Sequence, residues 1–243
     1  CRFGKGTHRA LKRFREFERK ISRNNTRTAW ILKGDIRKFF ANINHEILLG
    51  ILRKKIPDGN VIWLLEKIID SFHSENNPGI GLPLGNLTSQ LLVNVYMNEF
   101  DHFIKRNLKI TCYIRYADDF VIFYESEKYL KNILPIISSF LENHLKLSLH
   151  PDKVFIKTIA SGMDFLGWVN FPHHQILRTA TKKRVLRNLN EKSLASYCGL
   201  LSHGDTYKLQ QRIIEQLTDP EQKLFFQQKC QKIKESKAKK QKF

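Results

Sequence analysis

An α+β core followed by a smaller all-helical module is the architecture this 243-residue sequence predicts. Three observations carry that reading. Short runs of β-branched and aromatic residues alternate with helix-period segments through the first part of the chain. From about residue 180 to 217 the period is helical only, with Gly204 between two helical patterns. The last stretch, QQKCQKIKESKAKKQKF, holds seven lysines and little apolar content, and reads as a solvated, partly disordered basic tail.

The elements follow in order. Residues 8–21 place Leu11, Phe14, Phe17 and Ile21 at helical spacing between basic residues, which is a basic amphipathic helix. AWILKGDIRKFF reads as a strand running into Asp35. NHEILLGILRKKI and VIWLLEKIIDSF are helical, with PDGN as the turn between them. The loop SENNPGIGLPLGN leads into a long helix from about Leu87 to Lys105. Residues 111–116 and 120–124 are strand-formers joined at Asp118 and Asp119, and a helix over 127–144 contains Pro135, which is placed to kink it. VFIKTI and DFLGWVNF return to strand chemistry before the helical module.

At this length the chain is one large domain or two small ones. Its 42 Lys+Arg against 23 Asp+Glu give a formal charge of +19, spread along the whole chain. That distribution suits an extended polyanion, and nucleic acid is the commonest one. Basicity alone leaves ribosomal, structural and enzymatic roles open. The four cysteines form no CxxC pair or Cys/His ligand spacing, so a zinc site or disulfide framework is not expected and a reducing cytoplasm is. No apolar run is long enough to span a membrane, no membrane partner is expected and no signal peptide is read at the start. The chain opens at CRFGKGTHRAL without a methionine, and further N-terminal sequence is expected to precede it.

The chemistry-bearing stretch is YIRYADDFVIF, with adjacent acids at the tip of an apolar hairpin. A lone Asp in a turn is ordinary. Two adjacent acids are less so, because like charges this close resist joint ionisation unless a cation offsets them. Asp35 ends another strand-like run. Facing the hairpin, it would complete an all-oxygen site of the kind hard cations such as Mg2+ prefer, with room for water and phosphate oxygens.

YADD between strands, preceded by a strand ending Asp-Ile-x-x-Phe-Phe, resembles the polymerase palm of reverse transcriptases. Further blocks keep the family's order. GLPLGNLTSQLLVNVYMNEFDHFI resembles the loop and helix that support template and nucleotide. LSLHPDK resembles the segment with a lysine near the triphosphate, MDFLGW the primer grip, and SYCGLLSHGDTYKL the helical thumb. The resemblance covers about residues 1–217. It implies a right-hand polymerase: a fingers remnant over 1–29, a palm over 30–174, an α-helical thumb over 175–220 and a basic tail over 221–243. Asp35, Asp118 and Asp119 are then the catalytic acids. With Ile36 they are the liganding positions for two Mg2+ ions, for which Mn2+ can substitute. Template RNA, the RNA–DNA duplex and dNTPs are the implied partners.

Within the family, Leu84 before Gly85, and Gln90 after Ser89, resemble diversity-generating retroelements, whose enzymes err opposite template adenine and work with a small basic accessory protein. GKGTHRA and EFDHFIK fit that group too. Leu84 lacks the amide that many relatives carry there, so lost polar contacts around the nascent pair would relax discrimination; the plain alternative is that Leu84 packs. Leu84 and Gln90 are the candidate fidelity residues. Phe40 matches the steric gate, although Phe39 and Phe40 read equally as core. Gly85, Ser89, Gln90, Lys153, Arg2 and Lys5 are the remaining candidate nucleotide-binding positions. Arg115 has either phosphate or a structural carboxylate as partner, and Asp70 and Asp101 read as surface charges or local hydrogen-bond partners. The nine histidines show no ligand spacing. A group II intron or retron enzyme is the nearest alternative, and a catalytically idle RNA-binding palm the one from a different class.

Overall fold

The apolar stripe of the N-terminal helix does fold inward. In a computed structural model, which describes residues 6–74 and 77–240, α1 (Thr7–Ser22) buries Leu11, Phe14 and Phe17. Its other faces carry the basic residues. The candidate residues Arg2 and Lys5 lie outside the described residues.

β1 (Trp30–Asp35) follows, and Phe39–Asn42 form a short 3-10 turn. α2 (His45–Arg53) is capped by the Asn44 side chain, which accepts from the Ile47 amide, and α3 (Gly59–Asp70) by Asp58. The long helix expected over 87–105 is instead three pieces. These are α4 (Leu87–Tyr96), α5 (Asn98–His102) and a π-helical turn over Phe103–Asn107. β2 (Tyr113–Tyr116) and β3 (Asp119–Tyr124) form the hairpin. α6 (Glu127–Leu145) runs through Pro135 without ending there, and β4 (Phe155–Thr158) closes the unit.

These strands make an antiparallel sheet in the order β2-β3-β1-β4. Period-two alternation gives each face its own cover. Leu32, Phe120 and Ile122 enter a core with residues of α2, α4, α5 and α6. On the opposite face, Ile31 is paired with Phe123, and the Phe14 ring meets Phe123 edge-on at 4.8 Å. Lys33, Asp35 and Asp119 share that face nearer the hairpin turn. Gly34 stands opposite Phe120. A Cβ there would lie 2.3 Å from the Phe120 ring, so only glycine lets the ring cross the strand just before Asp35.

A second compact unit comprises residues 160–243. The division falls after Ile159, whereas the sequence grouped 160–174 with the palm. β5 (Met163–Phe165), β6 (Trp168–Asn170) and β7 (Gln175–Leu177) form a small antiparallel sheet. The helices α7 (Thr179–Arg187), α8 (Glu191–Leu201) and α9 (Tyr207–Gln216) follow. β7 was not expected. The expected disordered tail is also corrected, since α10 (Pro220–Lys240) is a helix packed on α8. Its lysine-dense stretch hides apolar residues at i and i+4. Phe226 and Cys230 are 1% and 5% exposed, and Cys230 Sγ lies 2.7 Å from Cys198 Sγ. The three described cysteines are buried thiols. No described helix is long and apolar enough to cross a membrane.

Candidate active site

Strand pairing brings the acids together. In the β1–β3 register Asp35 stands directly opposite Asp119, and Asp118 occupies the β2–β3 turn. That turn has only two residues, and Ala117, its first, sits at a φ of 54°. This is left-handed backbone that costs a non-glycine residue about 1–2 kcal/mol. Such strain is held only where the surroundings enforce it.

Two lysines supply positive charge. Lys153, on a 3-10 turn leading to β4, places Nζ 3.1 and 3.2 Å from the two carboxylate oxygens of Asp35. The Asp35 carbonyl accepts the His150 amide at 2.8 Å, which ties that segment to the end of β1. Lys33, only 8% exposed, places Nζ 3.5 Å from Asp119 Oδ1. The sequence reading passed over Lys33. Its signal is the period of a strand: two residues before Asp35 is the same face.

Burial pushes the Asp118 carboxyl above its usual range, and the Asp35 charge adds to the shift while Lys153 and Lys33 oppose it. Asp119 is also raised by burial, with Lys33 opposing and Asp35 and Asp118 adding. An anionic cluster of this kind, with carboxylate oxygens only, suits a hard divalent cation chemically. As the side chains stand, Asp35 and Asp119 pair with lysines, however. Among the described residues no three His, Cys, Asp or Glu side chains converge closely enough to hold an ion. Ile36 has only its backbone carbonyl to offer, because its hydrocarbon side chain is buried in the core.

Of the expected nucleotide-binding residues, Lys153 reaches an acid directly. Phe40 is half-buried, its ring 5.5 Å from that of the fully packed Phe39. Its carbonyl accepts the Leu82 amide at 2.8 Å, which joins it to the loop bearing Leu84 and Gly85. Gly85 has a φ of 93°, the left-handed region where glycine carries no steric cost. Ser89 is buried on α4, and Gln90 is half-buried beside it. Leu84 is 78% exposed, so packing does not account for it.

Arg115 meets a structural carboxylate. It donates from Nε to Asp101 Oδ1 at 2.8 Å and from Nη2 to Oδ2 at 2.7 Å. Asp101 is therefore a half-buried ion-pair partner, and Asp70 lies 3.4 Å from the ring of buried His45. His45 Nε2 donates to the Gly81 carbonyl at 2.7 Å, a structural use of a histidine.

A sheet of this order, with an acid on its central strand and two more at the adjoining hairpin, has the arrangement of a polymerase palm. The chain belongs to the reverse transcriptase (RNA-dependent DNA polymerase) family, whose model matches residues 2–169. It is 26% identical to protein YkfC of Escherichia coli over 73% of this chain and 55% of that protein. It is 25% identical to the group II intron-encoded protein LtrA of Lactococcus lactis, over 64% of this chain and 36% of LtrA. The chain thus spans about half or less of the length of these relatives. The fold matches telomerase from Candida albicans, with a TM-score of 0.59 at 11% identity, over 81% of this chain and 39% of that one.

Proposed function

We propose that this chain is the core of an RNA-directed DNA polymerase that copies a template RNA into cDNA by nucleotidyl transfer. The observation that carries the reading is the register placing Asp35 opposite Asp119, with Asp118 at the adjoining turn. Asp35, Asp118 and Asp119, with the Ile36 carbonyl, would hold two Mg2+ ions, or Mn2+ in their place. Bound there, the metal supplies activation of a 3′-hydroxyl and charge for a departing pyrophosphate. The protein's own share is positioning and electrostatics. Lys153, whose side chain is 51% exposed, would exchange Asp35 for a phosphate oxygen of the dNTP. Phe40 serves as the floor beneath the sugar, and Gly85, Ser89 and Gln90 line the approach of the nascent pair. The first unit supplies the palm with α1 as a fingers remnant, and the helices of the second unit serve as the thumb.

For the subtype we propose a diversity-generating enzyme that errs at template adenines and works with a small basic accessory protein. Its support is Leu84, an exposed leucine where an amide would hold the pair, together with Gln90. The second reading is a group II intron-type enzyme, favoured by the similarity to LtrA.

The test is Mg2+-dependent dNTP incorporation on an adenine-containing RNA, with the accessory protein supplied. Wild type is compared with Asp118→Ala and Leu84→Gln. Activity lost in Asp118→Ala, with errors opposite adenine that Leu84→Gln suppresses, supports both levels. Faithful copying by wild type removes the diversity-generating subtype and leaves the group II type. RNA binding without incorporation by wild type removes the polymerase.

A further inference from the structure

The hairpin turn carrying Asp118 is strained, and a residue outside the acid cluster is bonded to it. Arg115 is nearly buried, its side chain 8% exposed. Beyond its two-pronged bond to Asp101, its Nη1 donates to the carbonyl of Ala117 at 3.1 Å and to Asn94 Oδ1 at 3.3 Å. The Tyr113 hydroxyl donates to the same Asp101 oxygen that Nε uses, at 2.7 Å. One guanidinium thus joins α4 through Asn94, α5 through Asp101, and the turn residue whose φ is 54°. Only a planar fork with several donors serves all three acceptors at once; a lysine ammonium is a point charge on a flexible stem.

Resting on the polymerase reading above, we infer that Arg115 is a positioning residue. It locks the Ala117 carbonyl and so fixes the direction in which Asp118 and Asp119 leave the turn, with Asp101 as its anchor. The arrangement explains why an alanine is held in left-handed backbone at this place: the bond to its carbonyl offsets the strain. It also couples the helix bearing Gln90 to the acids, since Asn94 lies one turn further along that helix and its amide donates to the Gln90 carbonyl at 2.7 Å.

The experiment compares wild type with Arg115→Lys, Arg115→Met, and the charge-free pair Arg115→Met/Asp101→Leu, which leaves no buried ion unpaired. Each is made with and without Ala117→Gly. Single-nucleotide incorporation on an RNA template gives kcat and KM, duplex binding gives Kd, and amide hydrogen exchange is followed residue by residue. A positioning role predicts a kcat lowered about 10–100-fold, as for a misplaced reacting group. KM and Kd stay within about twofold of wild type, as expected when only transition-state interactions are lost. Exchange accelerates at residues 116–119 but not at Ile31 and Leu32 of β1. Ala117→Gly recovers part of the lost kcat, because glycine adopts the turn without help. A kcat that falls only with the folded fraction overturns the inference, as does unchanged exchange at the turn. A loss confined to KM also overturns it and assigns Arg115 to phosphate. Should the methionine variant fail to fold, the lysine variant decides alone. If wild type incorporates nothing, the polymerase reading falls, and exchange at 116–119 still decides the clamp.

Discussion

Asp118 and Asp119 stand where their own charge is disfavoured, and that has a consequence in stability. A carboxyl whose folded pKa is raised is more easily held protonated in the fold. Its contribution is favourable at low pH and is lost as pH rises through the folded value. Asp118 and Asp119 both shift upward, chiefly by burial. Asp118→Asn is therefore expected to raise Tm at pH 8 while lowering incorporation about 10²–10³-fold, the usual cost of removing one preorganised electrostatic group. Thermal melts beside an incorporation assay check both halves, and a lower Tm would contradict the argument. Glu18 makes the same case away from the site. It is 1% exposed on α1, and burial raises its carboxyl from 4.5 to about 7 against the opposing charges of Arg15 and Arg19. Its neutral form is favoured below about 4.5, and the benefit is lost as pH rises through about 7. Glu18→Gln should stabilise the chain by about 1–3 kcal/mol at pH 8 and by little at pH 4, as read from denaturant titrations at the two pH values.

At the scale of elements, two glycines test different physics. Gly34→Ala drives a Cβ to 2.3 Å from the Phe120 ring inside the β1–β3 pair, and is expected to cost about 1–3 kcal/mol by overpacking and to disturb the adjacent acids. Gly85→Ala meets nothing within 4 Å, and its cost of about 1–2 kcal/mol comes from a φ of 93° alone. Amide hydrogen exchange across β1 and β3 separates them, because only the first should disturb the sheet. These elements also show what a sequence discloses. The strands bearing Asp35 and Asp119 were legible because alternation marks a strand, and a charged residue at its end is conspicuous. The Arg115–Asp101 pair was not, since its members lie 14 residues apart on different elements and only packing joins them. α10 was misread for a different reason: its lysines dominate the composition, while Phe226 and Cys230 bear the packing. Leu84 was legible as unusual, and its 78% exposure came only with the fold.

For the whole molecule, the proposed function implies that the excess of 19 positive charges would govern association with RNA. Each phosphate contacted releases counterions, so affinity should fall at least about tenfold between about 50 mM and about 200 mM salt. Filter binding or fluorescence anisotropy across that range checks it, and a flat profile would set aside a phosphate-tracking surface. The charge is distributed over both compact units, so truncation of either is expected to reduce the slope without abolishing binding.

Lys153 on Asp35 and Lys33 on Asp119 also bear on the order of events in biosynthesis. A nascent chain in which Asp35 and Asp119 are already matched by its own amines would complete its sheet before any divalent ion arrives. A chelator should accordingly silence incorporation yet shift Tm by no more than about 3 °C, the small increment expected of a weakly held ion. Melts with and without EDTA read this directly: ion loading would then be a reversible last step, repeated at each catalytic cycle, and not a condition of reaching the native state.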